Sequence, residues 1–238
     1  MSHENYSSVL HQLEQMGCVL RDKDKRLQID TAKKVTCGKG GKHWYRLYTF
    51  RPEKSTRSFI VGTIGSYRTR QTEPVEWDKE GLSAETLERY RAEQAAARER
   101  DRVVAQQAAE EAALNAAQLW ARGSRTGQSA YLERKGVEPE SCRFMPDGSI
   151  LVPLLRYDLP RDQALKAVQR IYPGPRFDSR TGDELPQKVF TKGFAKTGCA
   201  VRLGTVTQPP ALVLVSEGYA TGLTIRMATE RRLLVYVG

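Results

Sequence analysis

A carboxylate followed by glycine, at the end of an apolar run, is the arrangement in this sequence best suited to chemistry. Residues 211–215 read Ala-Leu-Val-Leu-Val with no helical period and are closed by Ser216, Glu217 and Gly218, so they predict a buried strand ending at Glu217. From Tyr219 onward Ala220, Leu223 and Met227 fall at helical spacing, and residues 233–237 supply a second apolar run. Strand, turn, helix and strand in this order predict a parallel pair joined by a crossover. Glu217 then sits at the carboxyl edge of a sheet, where open α/β folds bind their ligands. Gly218 is expected to let the chain turn sharply there. The same Glu-Gly pair also suits a plain turn, or an anion favoured by the dipole of the following helix.

Metal and nucleotide chemistry elsewhere has less to work with. Cys18, Cys37, Cys142 and Cys199 form no Cys-x-x-Cys pair, and with a cytoplasmic location expected they are read as free thiols. Cys37 and His43 lie six residues apart in a glycine-lysine loop and offer two zinc ligands, but a structural site needs four, so zinc is not expected. The loop itself, Thr36-Cys-Gly-Lys-Gly-Gly-Lys-His43, lacks the order of a phosphate-binding loop and predicts a basic hairpin tip.

Electrostatics point to an anionic partner. The formal charge is +10, and the excess lies at both ends: Lys and Arg against Asp and Glu number 15 to 10 over residues 1–83, 5 to 7 over 84–117, and 18 to 11 over 118–238. Such a surface suits nucleic acid, although a solvated basic face has the same composition. No apolar run is long enough to span a membrane, and residues 1–8 are polar, so neither a membrane span nor a signal peptide is expected.

The elements that must carry these groups change character along the chain. Val9, Leu13 and Met16 predict a short amphipathic helix, residues 27–29 a strand, and residues 43–50 and 59–66 two longer strands rich in aromatics. Those aromatics, interleaved with Lys42, Arg46, Arg57, Arg68 and Arg70, can either stack single-stranded bases or fill a small core. Residues 83–121 contain 13 alanines and no glycine or proline, which predicts a long exposed connecting helix capped by Ser83, with a partner-binding helix as the alternative. A short helix ending at Gly136 follows, then strands near 142–145, 150–157 and 164–172 that predict an antiparallel sheet.

The string Val-Ser-Glu-Gly-Tyr-Ala-Thr, residues 215–221, resembles the first motif of the toprim domain, most closely in primase-like proteins of plasmids, phages and integrative elements. That resemblance implies a Mg²⁺-dependent phosphoryl-transfer site in which Glu217 is both catalytic and a metal ligand. It also implies an Asp-x-Asp pair on a later strand, and the sequence reaches Gly238 before one occurs, so an incomplete toprim domain that makes no primers by itself is expected. Residues 120–204 are similar to the subdomain that precedes toprim in bacterial replicative primases. By that likeness Arg170 takes the position of an arginine at a strand end, and Lys188, Lys192 and Lys196 lie in a lysine-bearing segment. These four are the expected nucleic-acid contacts, with cations set opposite an acidic edge; ordinary solvated charge is their alternative.

The resulting expectation is an α+β chain in four parts: a β-rich domain over 1–82, the helix over 83–121, a primase-like β subdomain over 122–204, and the start of a toprim domain over 205–238. Single-stranded template DNA and nucleotides are the implied partners, together with a replication helicase or a second copy of the chain. The second strand, residues 233–237, is expected to be an uncovered apolar edge. A nucleic-acid-binding or partner-binding chain without catalysis is the competing function class.

Overall fold

The computed structural model describes residues 3–18, 20, 26–31, 34–52, 56–79, 83–206 and 212–238, which fall into two compact units, Met1–Ala96 and Ala97–Gly238. The fold is mixed α+β: a β-rich amino-terminal region, a long helix, then further sheets and short helices. Among the described residues no helix is long and apolar enough to cross a membrane.

In the first unit α1 (Tyr6–Gln15) buries Val9 and Leu13 against an antiparallel sheet ordered β1 (Val35–Cys37), β2 (His43–Phe50), β3 (Phe59–Ser66) and β4 (Thr72–Pro74). Alternation along β2 gives Tyr45 and Leu47 to that core and leaves Trp44, Arg46, Tyr48 and Phe50 on the other face. There Phe50 and Phe59 join Trp77 and Tyr90 in an aromatic cluster, and Lys34 lies 3.5 Å above the Trp44 ring. Most of these aromatics therefore fill the small unit. Gly62 is required where it stands: its φ is +143°, and a Cβ would come 2.1 Å from the Arg46 carbonyl oxygen.

Two expectations fail in this unit. Residues 27–29 are irregular rather than a strand, although Leu27 and Ile29 still pack on the core. The cysteines are not all free, because Cys18 and Cys37 form a disulfide with Cα atoms 5.6 Å apart. The chain turns back at Gly17 after α1 and β1 packs beside it, a proximity that a separation of 19 residues does not disclose. A disulfide-bonded Cys37 has no thiolate to offer zinc beside His43. The basic loop between them forms a 3₁₀ turn at Lys39–Gly41 and closes the hairpin of β1 and β2.

Helix α2 (Ala84–Arg122) begins where expected, with the Ser83 hydroxyl accepting a hydrogen bond from the Thr86 amide at 3.2 Å. Its later turns are not simply exposed. Ala112 and Ala116 are fully buried, and Ala116 joins Leu151 and Val168 in a core cluster, alanine's small size allowing helix and sheet to approach closely.

The second unit holds α3 (Ala130–Lys135), closed by left-handed Gly136, and an antiparallel sheet ordered β10 (Lys188–Phe190), β7 (Leu165–Ile171), β6 (Ile150–Leu155) and β5 (Arg143–Phe144). The charged loop before β10 carries its own hairpin, β8 (Arg176–Phe177) with β9 (Glu184–Leu185). A three-stranded sheet follows, ordered β11 (Val201–Leu203), β13 (Leu234–Val237) and β12 (Val213–Ser216), with α4 (Tyr219–Ala228) against it. Val201, Leu203, Leu223, Val235 and Val237 share one core with Ile150, Val152 and Ile171, so the two sheets are packed together.

The register of β12 against β13 is parallel, Ser216 opposite Val237, which puts Glu217 just past the carboxyl end of its strand as the crossover pattern predicts. Ala211, placed in that strand by the sequence, lies outside the described residues. Two related expectations are overturned. β13 is not an open edge, because β11 pairs antiparallel with its other side. The outer strand on the crossover side is β12, and it is only half covered, with Val215 78% exposed. A continuous apolar run reads as buried on both faces, and here α4 covers one.

Candidate functional site

The carboxyl end of β12 opens into a cavity of about 470 Å³ within the second unit. One wall is the face of the antiparallel sheet that carries Val152 on β6, Gln169 on β7 and Phe190 on β10, which stand opposite one another in register. Lys188, two residues before Phe190, shares that face. The other wall is the turn into α4, with Glu217, Gly218, Tyr219 and Thr221. Lys196 and Phe194, from the segment after β10, complete the lining used below.

Glu217 is exposed to the cavity immediately before the amino terminus of α4, where the helix dipole favours a negative charge. Gly218 has φ −120° and ψ 139°, an extended conformation open to any residue, so the turn does not depend on glycine as expected. Tyr219 anchors the helix start: its buried hydroxyl donates to the Glu140 carbonyl oxygen, and burial pushes the phenol well above its ordinary pKa, with the Cys142 thiol adding to the effect. Burial likewise raises the thiol of Cys199, which borders the cavity, so it is poorly disposed to act as a thiolate.

Glu217, Lys188 and Lys196 thus line one cavity, which brings two cationic side chains and one acidic one to the same space. Comparison with known proteins gives no name for this arrangement: no family model matches the chain, and neither a curated protein nor a solved structure matches it significantly.

The other two expected contacts lie elsewhere. Arg170 follows Gln169 and so points to the opposite face of the sheet, where it donates to Asp147 at 2.7 Å and to the Ser149 hydroxyl at 2.8 Å. Lys192 is exposed in the turn after β10, next to Gly193, which passes close to the Ala108 carbonyl of α2. Phe190, Phe194 and Gln169 were not anticipated. The alternation Lys188-Val189-Phe190 was the available signal, since in a strand it pairs a cation with an aromatic ring on one face.

The donor set bears on the metal implied by the toprim likeness. Among the described residues Glu217 is the one acidic side chain lining this cavity, and no three His, Cys, Asp or Glu side chains come together as a metal-binding group. One acidic side chain in the company of two lysines does not fit a two-metal centre, which needs several acidic ligands. It fits a phosphate, which the lysines attract and the carboxylate pushes toward them.

Arg170 is best understood as fixing the hairpin between β5 and β6. Burial works to raise the Asp147 carboxyl, but hydrogen bonds from Ser149 and the Arg170 guanidinium outweigh it and hold the carboxyl below the usual aspartate range. A depressed folded value stabilises the fold above the unfolded pKa, near 4, and the contribution disappears as pH falls through the folded value. Thermal melting against pH should accordingly show wild type more stable than Asp147→Asn near neutrality, with the gap closing as pH drops below about 4. A gap of constant size would mean that the pair contributes nothing through ionisation.

Proposed function

We propose that the chain handles single-stranded nucleic acid as part of a toprim primase-like replication protein, and that the cavity beside Glu217 receives its phosphate. The observation that carries the reading is the meeting of Glu217, at the carboxyl edge of a parallel strand pair, with Lys188 and Lys196 in one cavity. The strand-Glu-Gly-helix string supports the family assignment, and the basic charge of residues 118–238 supports the anionic partner. Mg²⁺-dependent primer synthesis belongs to this proposal for a protein that also carries the companion acidic residues. The lone carboxylate favours, for the residues present, a second reading as a binding surface without chemistry.

Fluorescence anisotropy with a labelled single-stranded oligonucleotide at low and moderate salt tests the proposal. Lys188→Glu with Lys196→Glu should weaken binding by at least about tenfold and flatten the salt dependence by a slope of roughly 0.7, the contribution of one neutralised phosphate on a single strand. Reversing Arg98 and Arg100 on α2 should have a much smaller effect. In the presence of a chelator Glu217→Gln should tighten binding, because it removes a negative charge facing the phosphate. Absence of binding at low salt, or equal losses from the α2 and pocket pairs, would remove the reading.

A further inference from the structure

The lysines of the pocket are accounted for by a phosphate, but the aromatic rings beside them are not. Phe190 and Phe194 are stacked, with centroids 5.4 Å apart and planes 27° from parallel. Phe194 is the seated member, packed against the cluster of Leu154, Ala167 and Cys199. Phe190 is the outer member and is 39% exposed, although it stands in a strand whose neighbouring row leads directly into the core through Gln169 and Val152. A phenyl ring left 39% exposed forgoes part of the gain from burying it.

The composition of the lining narrows what could cover that ring. A protein segment docking on exposed apolar surface would meet Lys188 and Lys196 as charges to be desolvated, at a cost. A lone inorganic anion would use the lysines and ignore the phenyl pair. A base joined to a phosphate uses both, because stacking needs only a flat π face while the cations neutralise the backbone. The amide of Gln169, directly opposite Phe190 in the sheet, carries both donor and acceptor groups toward the same space.

We infer that Phe190, seated on Phe194, is a base-stacking platform, and that the pocket takes one base-plus-phosphate unit with the ring on Phe190 and the phosphate on Lys188 and Lys196. The inference rests on the nucleic-acid reading of the cavity and specifies its ligand. Stacking tolerates every base, so little sequence preference accompanies it. The unit can come from a single strand or from a free nucleotide.

Anisotropy titrations of the full chain with a labelled single strand and with an abasic strand of equal length separate the two contributions. Wild type should bind the base-bearing strand about tenfold more tightly, within the range of one aromatic stacking contact. Phe190→Ala should abolish this margin without changing the slope of affinity against salt, since no phosphate contact is lost. Phe190→Leu keeps an apolar side chain in β10 and should also lose the margin, which guards against a folding defect in the alanine variant. Competition against the labelled strand identifies the source: displacement by adenosine monophosphate well below the concentration of ribose 5-phosphate needed assigns a free nucleotide, and displacement by unlabelled strand alone assigns a strand residue. Equal wild-type affinity for both strands, or a margin that survives in both Phe190 variants, overturns the platform while leaving phosphate binding intact. Failure of both strands to bind at low salt overturns the platform and the proposed function together.

Discussion

Replacing Arg226 by alanine is expected to destabilise the second unit by about 3–5 kcal/mol, the usual result of removing one partner of a buried ion pair. Arg226 is 6% exposed in the last turns of α4 and donates Nε and Nη2 to the two carboxylate oxygens of Glu140, at 2.9 and 2.8 Å. Its Nη1 donates to the carbonyl oxygens of Arg231 and Leu233, which belong to the turn between α4 and β13. Alanine would leave a half-buried carboxylate and two carbonyl groups without these donors, and each lost charged hydrogen bond costs more than a neutral one. Calorimetry should show the transition of this unit falling by on the order of 10 °C, given about 2–4 °C per kcal/mol for a unit of this size. Lysine cannot reproduce the paired bonds and should recover only part of the loss. The double variant Arg226→Ala, Glu140→Ala should be less destabilised than the sum of the singles, because it leaves no orphaned charge. A drop of less than about 2 °C, under 1 kcal/mol on that scale, would show that the latch contributes little.

Arg226 also marks where sequence reading runs out. Helical spacing correctly gives Leu223 to the sheet-facing stripe, but it assigns Met227 there too, and Met227 is exposed while Arg226 is buried. A pattern based on hydrophobicity must place arginine in water. Only the long-range pairing with Glu140, 86 residues away, makes its burial favourable. The same limit explains the other misses. The strand covering β13 is three residues long and follows a glycine-lysine segment, so nothing local distinguishes it from a loop, and β13 is read as an edge. The bond between Cys18 and Cys37 depends on how α1 meets β1.

What was legible was local or periodic. β2 and β3 span the predicted residues, α2 starts at its Ser83 cap, α3 ends at Gly136, and the parallel pair follows from a short crossover. Of the candidate site, Glu217 and its edge position followed from that crossover. Lys188 and Lys196 were singled out with Arg170 and Lys192; the register of β10 against β7 puts Lys188 and Arg170 on opposite faces, and the path of the chain after β10 brings Lys196 but not Lys192 to the cavity. Counting charge along a segment finds a basic surface, whereas the period of the strand decides which charges converge.

Gly222→Val is expected to damage both the fold and the pocket, with a loss of roughly 3 kcal/mol, at the upper end of typical overpacking. A Cβ at Gly222 would lie 2.6 Å from Val237 Cγ2, 2.9 Å from Leu203 Cδ1 and 3.0 Å from Ser216 Oγ, one atom from each strand of the three-stranded sheet. No single neighbour can yield enough, because all three are in the packed interface. The helix must therefore lift from the sheet, and the first turn of α4 is the element that carries Gly218, Tyr219 and Thr221 along the cavity wall. Alanine at this position gains about 1 kcal/mol of helix propensity over glycine yet meets the same three atoms, so it should be destabilising as well, though less than valine. Hydrogen exchange is the informative measurement. Amides of β11 and β13 should lose protection in Gly222→Val while those of β2 and β3, in the other unit, keep theirs. Single-strand binding should weaken in the same variant at temperatures where the second unit is still folded, because the wall bearing Glu217 has moved relative to Lys188. Unchanged protection in β11 and β13 would mean that α4 does not rest on the sheet as closely as the Gly222 contacts require.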